Sequence, residues 1–314
     1  MIINKLLTSS CSLLFLCFGI AQEQPKLPLQ KGTVHGEYQS FHNNGQLKAE
    51  GNFFFNQRIG EWKVYNEEGG IIAKRYFDSL GRINVIVPTL SDNPVIELLN
   101  QPQYIVERNE AGYYKFQHIK EGDIVWSKRV WSFLPKGDNP DIYNFDWMAT
   151  LNDFEMHEDL SNKRDIKVYK DDEFKSFYED DEYIDLTDLK FLGVGIKKDY
   201  FYDVVRHRTD ARVIGITVFA EDTTTKEIKD FTLYYPTDLR PLLVKQEIDH
   251  DVPNISNLDD IFFLNAYGEI IYEEATVYAK DDQFDPRKAS DFIAFSKEIK
   301  TQVIEAAHKL WVKI

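Results

Sequence analysis

Residues 36–59 and 60–83 carry one pattern twice, offset by 24 positions. A period this short requires each copy to be a single supersecondary unit laid against its neighbour, so it constrains the fold before any other feature does. Gly36 corresponds to Gly60, Glu37 to Glu61, Tyr38 to Trp62, Phe41 to Tyr65, Gly45 to Gly69, Leu47 to Ile71, Phe53 to Phe77 and Arg58 to Arg82. Asn44-Gly45 in the first copy and Gly69-Gly70 in the second tolerate positive φ, as a tight hairpin turn requires. After the first turn Leu47, Ala49, Gly51, Phe53 and Phe55 alternate with Lys48, Glu50 and Asn52, the period of a half-buried strand. Each copy therefore predicts a β-hairpin. Two hairpins bury a modest face, so the array at 32–83 is expected to lean on the rest of the chain or on a partner.

The order Gly-Glu-(Tyr/Trp), an aromatic, a tight turn and a strand of small residues resembles the bacterial MORN-type repeat. That resemblance implies a scaffolding or contact surface and puts Tyr38 and Trp62 among its interaction residues. A self-similar β-meander is the alternative.

At the N-terminus, Lys5 precedes an apolar stretch at 6–20 that is short for a membrane span, and Gly19 and Ala21 offer the small residues a signal peptidase needs. A signal peptide over 1–21, cleaved before Gln22, is the expectation; a retained anchor is the alternative. Both cysteines, Cys11 and Cys17, fall inside that segment, so the mature chain would carry no disulfide, no cysteine-ligated zinc and no catalytic thiol. The chain has 52 acidic residues against 37 basic ones, and no run of Lys or Arg that could follow a phosphate backbone, which argues against nucleic acid as a partner.

Pro88, Ser91, Asp92, Asn93 and Pro94 break the pattern and mark 84–102 as a linker. Beyond it, β-type runs at 123–131, 212–220, 231–235 and 269–278 are separated by acidic loops. The chain ends in a helical pattern. Asp285-Pro286 supplies an N-cap and a first-turn proline, and Phe292, Phe295, Ile299, Val303, Ala306, Leu310 and Ile314 recur on one face. Lys297, Glu298, Lys300, Glu305 and Lys309 mark the other. The fold class read from these patterns is α+β, a small hairpin unit followed by an α+β domain at 103–314 with a long terminal helix.

Taken in order, the segments of that second domain resemble the GldN/PorN family of the type IX secretion and gliding machinery. The resemblance is carried by Trp126-Ser-Lys-Arg129-Val-Trp131, then Asp171-Asp172-Glu173-Phe174, Arg212-Val-Ile-Gly215-Ile216 and Tyr234-Tyr235-Pro236 with Arg240. It continues through Asn254, Ser256, Asp259-Asp260-Ile261-Phe262, Ile271-Tyr272-Glu273 with Tyr278, Glu298-Ile-Lys300 and Leu310-Trp311. The run from Ser132 to Asn139 departs from the family pattern, as do Glu273 and Ala275-Thr276, which marks a divergent paralogue. The resemblance implies a periplasmic assembly subunit with no catalytic role and no cofactor. Its partners would be an outer-membrane lipoprotein of the GldK/PorK kind and the periplasmic part of a GldM/PorM-like motor subunit, in a ring. Trp126, Arg129 and Trp131 are the residues placed at such an interface, because exposed aromatics and arginines anchor protein contacts; the alternative is that they are ordinary core.

The seven histidines are scattered without metal-ligand spacing, and nucleophile, phosphate-loop and dinucleotide motifs are missing from the sequence. His250 between Asp249 and Asp251 reads as a solvated loop residue, with an oriented general base as the alternative. The acidic runs at 171–173 and 179–182 lack the spacing of a calcium loop. A binding protein follows from this, either an assembly subunit or an exported MORN-type module that recognises a toxin, glycan or envelope lipid.

Overall fold

The computed structural model describes residues 27–77, 83–88, 96–97, 107–152, 167–171, 173–177, 186–206, 208–250, 254–275 and 284–313. The leader expected over 1–21, the acidic run at 179–182, and Asp172, Asp251, Tyr278, His157 and His207 lie outside the described residues.

A short ribbon, β1 (Leu29–Gln30) and β2 (Thr33–Val34), leads into an antiparallel sheet of six strands in chain order. These are β3 (Gly36–Phe41), β4 (Leu47–Phe54), β5 (Gln57–Tyr65), β6 (Ile71–Phe77), β7 (Ile83–Pro88) and β8 (Ile96–Glu97). The repeat is exact in register. The pair Gly36↔Phe53 recurs as Gly60↔Phe77, Ser40↔Ala49 as Val64↔Ala73, and Phe41↔Leu47 as Tyr65↔Ile71, with a bulge before the last pair each time. Gly45 (φ +82°) and Gly69 (φ +84°) close the two turns, each donating its N–H three residues back, to His42 O and Asn66 O. The segment expected as a linker instead supplies β7 and β8, which continue the ladder beyond β6; Ile83, Val85, Ile86 and Val87 are β-branched residues suited to that role.

The second sheet is also six-stranded, in the order β10-β13-β12-β11-β9-β14. Its strands are β9 (Ile124–Leu134), β10 (Val168–Tyr169), β11 (Leu189–Asp203), β12 (Arg208–Asp222), β13 (Ile228–Tyr234) and β14 (Ile270–Glu274). Four of these match expected runs. The strand at 189–203 was not anticipated, although it pairs with both β9 and β12 along most of its length. Gly193, Gly195 and the Lys197-Lys198-Asp199 triplet hide its period.

One face of this sheet is covered by short helices α1 (Pro140–Tyr143), α2 (Trp147–Asn152), α3 (Arg240–Leu243) and α4 (Leu258–Phe263), which bury Ile142, Trp147, Leu243 and Phe262 against Val194, Ile216, Val218 and Leu233. Asn257 caps α4 in a capping box with Asp260. At one end of the opposite face Phe133, Phe219, Phe284 and Ala289 form a small cluster, with Tyr272 stacked on Phe284 at 3.7 Å.

The terminal helix forms as expected, with Asp285 accepting the Arg287 N–H and Pro286 opening a 3-10 stretch that runs into α5 (Ile293–Lys313). Its buried stripe is rotated from the expected one. Ser296, Ile299, Lys300, Val303, Ile304, Ala307, His308 and Trp311 are inside, while Ala306 and Leu310 are half-buried. The reason is that α5 is covered from two sides. Ile299 packs on Val130 and Ile271 of the second sheet, whereas Ile304, Ala307 and Trp311 pack on the hairpin sheet. No helix among the described residues is long and apolar enough to cross a membrane.

Candidate interaction surface

Along β9 the side chains alternate between the two faces of the sheet, and this separates the three residues expected at an interface. Trp126 turns toward the hairpin sheet and packs half-buried on its core. Arg129 and Trp131 point the other way. Arg129, 43% exposed, makes a bidentate pair with Asp199, its register partner on β11, at 2.7 and 2.8 Å.

Trp131 is half-buried, and its register partner is Lys197, whose ammonium lies 5.1 Å from the indole and 5.3 Å from the Phe174 ring. Phe174 can reach this position because the residue beneath it on β12 is Gly215; a Cβ there would come within 2.7 Å of its ring. The ring then meets Tyr234 at 5.2 Å and Tyr169 at 5.1 Å, both edge-on. Five elements thus contribute to one half-buried strip of aromatic rings around a cation, with the Arg129–Asp199 pair at its end.

The loop that carries Phe174 is held by Asp171. Its carboxylate accepts from the backbone N–H of Glu173, Lys175 and Ser176 and from the Ser176 hydroxyl. Partial burial pushes this carboxyl up, but the donors outweigh it and hold it at about 2. Its oxygens serve the loop itself.

Tyr38 and Trp62 lie elsewhere. Both are fully buried, so they correct the expectation that they present a contact surface to another protein. Their rings face α5 of the same chain. Trp62 lies 4.9 Å from Phe53, 5.5 Å from His308 and 6.1 Å from Trp311, and Tyr38 lies 5.8 Å from His308. Arg58 enters the same box, its guanidinium carbon 5.1–5.4 Å from the rings of Phe53, Trp62 and Trp311. The repeat's aromatics therefore form the joint between the hairpin sheet and the second domain.

Polar groups fix that joint. The Asn56 side-chain amide donates to the carbonyls of Asn265 (2.8 Å) and Tyr267 (3.1 Å) and accepts from Val34 N, and Gln57 donates to Leu264 O. Phe55 and Asn56 both take positive φ in the β4–β5 turn, so Phe55 ends the strand it was expected to extend. Lys300, expected on the polar face of the last helix, is buried and donates to Gly32 O (2.7 Å) and Glu269 O (2.9 Å). Beside it the Glu269 carboxylate accepts from Lys198 (2.7 Å) and Tyr200 (2.9 Å).

Several segments that carry the family resemblance have structural work. Arg240 is buried and bidentate with Asp259, which also accepts from the Tyr235 hydroxyl, and Asp260 pairs with Arg108 through both oxygens. His250 stands 6.0 Å from the Phe55 ring, edge-on. Among the described residues no group of three or more His, Cys, Asp or Glu is arranged to hold a metal ion.

A family model described as gliding motility associated protein GldN matches residues 119–312, the span from just before β9 to the end of α5. No curated protein matches the chain.

Proposed function

The chain belongs to the GldN family of gliding-motility-associated proteins, and from that premise we propose that it is a non-enzymatic assembly subunit that works by binding other proteins. In this reading it is exported to the periplasm and takes its place beside the outer membrane in a ring of the gliding and type IX secretion machinery. An outer-membrane lipoprotein of the GldK/PorK kind and a GldM/PorM-like motor subunit are its partners. The family match over most of the second domain is the observation that carries the proposal.

The strip formed by Trp131, Lys197 and Phe174 with Arg129–Asp199 supports it physically. Half-buried aromatics beside an arginine are the groups that dominate protein interfaces when a partner completes their desolvation. Arg129→Ala and Trp131→Ala test this by affinity capture from crosslinked envelopes. The Arg129–Asp199 pair is exposed, so its loss should leave stability almost unchanged, by about 0–1 kcal/mol. The expected result is folded protein that captures less of the lipoprotein partner. Undiminished capture by both folded variants removes this strip from the interface, and wild-type chain recovered as a monomer with no envelope partner ends the assembly reading.

The hairpin sheet lies outside the matched span and keeps a second reading open, an exported recognition module for a toxin, glycan or envelope lipid. Its outward face carries a ladder in which Glu61 bridges Lys63 and Lys74, both at 2.7 Å, and Tyr65 donates to Glu50. A gene beside secretion-ring subunits favours assembly; one beside a toxin favours recognition.

A further inference from the structure

Where the Asn56 turn, the start of β12 and α5 meet, the joint between the two sheets forms a half-open pocket of about 80 Å³. It is roomy enough for several waters or for one small polar ligand. Arg58, Lys300, Thr209, Tyr200 and Asn265 contribute to its walls.

Two of the side chains in its walls have buried polar atoms without hydrogen-bond partners. Arg58 Nε and Nη2 are buried without a hydrogen-bond acceptor, and no carboxylate among the described residues forms an ion pair with this guanidinium. The Phe53, Trp62 and Trp311 rings stabilise the charge only in part. Lys300 spends two of its three N–H groups on backbone carbonyls. The Thr209 hydroxyl is buried with no partner. Of the negative groups nearby, Asp210 pairs with Arg208 at 3.8 Å and accepts the Ala211 N–H, and Glu269 accepts from Lys198 and Tyr200 through one oxygen while its other oxygen is buried without a hydrogen-bond partner. Burial also weakens both cations, lowering Arg58 to about 10 and Lys300 to about 8.

We propose that this pocket is a binding site for a small anion bearing a carboxylate or phosphate group, held by Arg58, Lys300 and Thr209. A ligand there would supply the missing acceptor for buried donors from both sheets' shared joint, and so would clamp the hairpin sheet to α5. The site is independent of the strip on the far face of the second sheet.

The test uses the full mature chain, with thermal unfolding and calorimetric titration in sodium phosphate and in sodium malonate, each against sodium chloride at equal ionic strength. The expected result is a rise in melting temperature of about 2–4 °C or more with one of the two anions and little with chloride. A response to phosphate alone assigns a phosphate ligand, and a response to malonate alone assigns a carboxylate. Arg58→Gln should abolish the shift. If that variant does not fold, Thr209→Val, which keeps the side chain's shape, should weaken binding by roughly tenfold. No shift beyond chloride with either anion, or a shift that survives intact in the folded variants, overturns the proposal.

Discussion

Gly51 sets the distance at which Trp62 can lie on β4. A Cβ at this position would fall 2.1 Å from the indole, a separation that real side chains do not reach, so Gly51→Ala must displace Trp62 from its box with Phe53 and Trp311. Overpacking of this kind costs about 1–3 kcal/mol, and urea unfolding should show it as a lower midpoint with an unchanged slope. Gly45 is the control. Nothing lies within 4 Å of its missing Cβ, so Gly45→Ala carries only the conformational cost of φ +82°, about 1 kcal/mol. A midpoint at least as low for Gly45→Ala would mean that Trp62 does not need the space. The alternation read in the sequence covers only the strand after the first turn; cross-strand register puts Tyr38 and Trp62 on the same apolar face as Ala49 and Phe53. What alternation cannot say is what covers that face. Here the cover is the chain's own last helix, more than two hundred residues away in sequence, so the aromatics became core rather than interface. On β9 Arg129 and Trp131 share the face that the hairpin sheet leaves uncovered, whereas Trp126, on the other face, packs against it.

Helix α5 is the element that holds the two sheets together, and its one buried histidine gives the joint a pH dependence. His308 stands among Tyr38, Trp62 and Trp311 with neither ring nitrogen hydrogen-bonded. Burial, reinforced by the nearby Arg58, Lys48 and Arg75, drives its imidazole well below the ordinary 6.5. In the unfolded chain His308 takes up a proton below about pH 6.5, while in the folded chain it stays neutral. Its contribution to stability is therefore fully present above that pH and is lost as the pH falls. Between about pH 7 and pH 5 this loss amounts to about 2 kcal/mol, and His308→Phe should remove it. Stability measured in urea at both values should fall less in the variant than in the wild type; an equal fall in both would place the acid sensitivity elsewhere. The element itself was legible, because Asp285-Pro286 and the three-to-four spacing announce a helix wherever they occur. Its rotation was not. Lys300 and His308 sit in the buried stripe because a second sheet closes over them, and a polar residue carries no sign in the sequence that it will be enclosed. The same limit hid β11, whose Lys197-Lys198-Asp199 looks like loop until Trp131, Glu269 and Arg129 are seen to receive those three side chains.

At the scale of the molecule, the question is whether the hairpin sheet is an appendage or a part of the family fold. Trp311, Ala307 and Ile304 bury against the hairpin sheet, while Ile299 on the same helix buries against Val130 and Ile271 of the second sheet. Removing either sheet would therefore open part of α5's apolar surface to water, and Asn56, Gln57 and Lys300 add hydrogen bonds across the joint. Such sharing makes the two units unfold together. Far-UV circular dichroism reports both sheets, whereas tryptophan fluorescence is weighted to the joint, where Trp62, Trp126 and Trp311 of the chain's 5 tryptophans meet. The two signals should trace one transition. Trp311→Ala removes the ring that touches Trp62, Phe77 and Arg75 at once, and should cost about 3–5 kcal/mol. It should also separate the two signals, with fluorescence changing first as the hairpin sheet lifts from α5. If the wild type already unfolds in two steps, the sheet is an appendage, and its contacts with α5 contribute little to holding the second domain together.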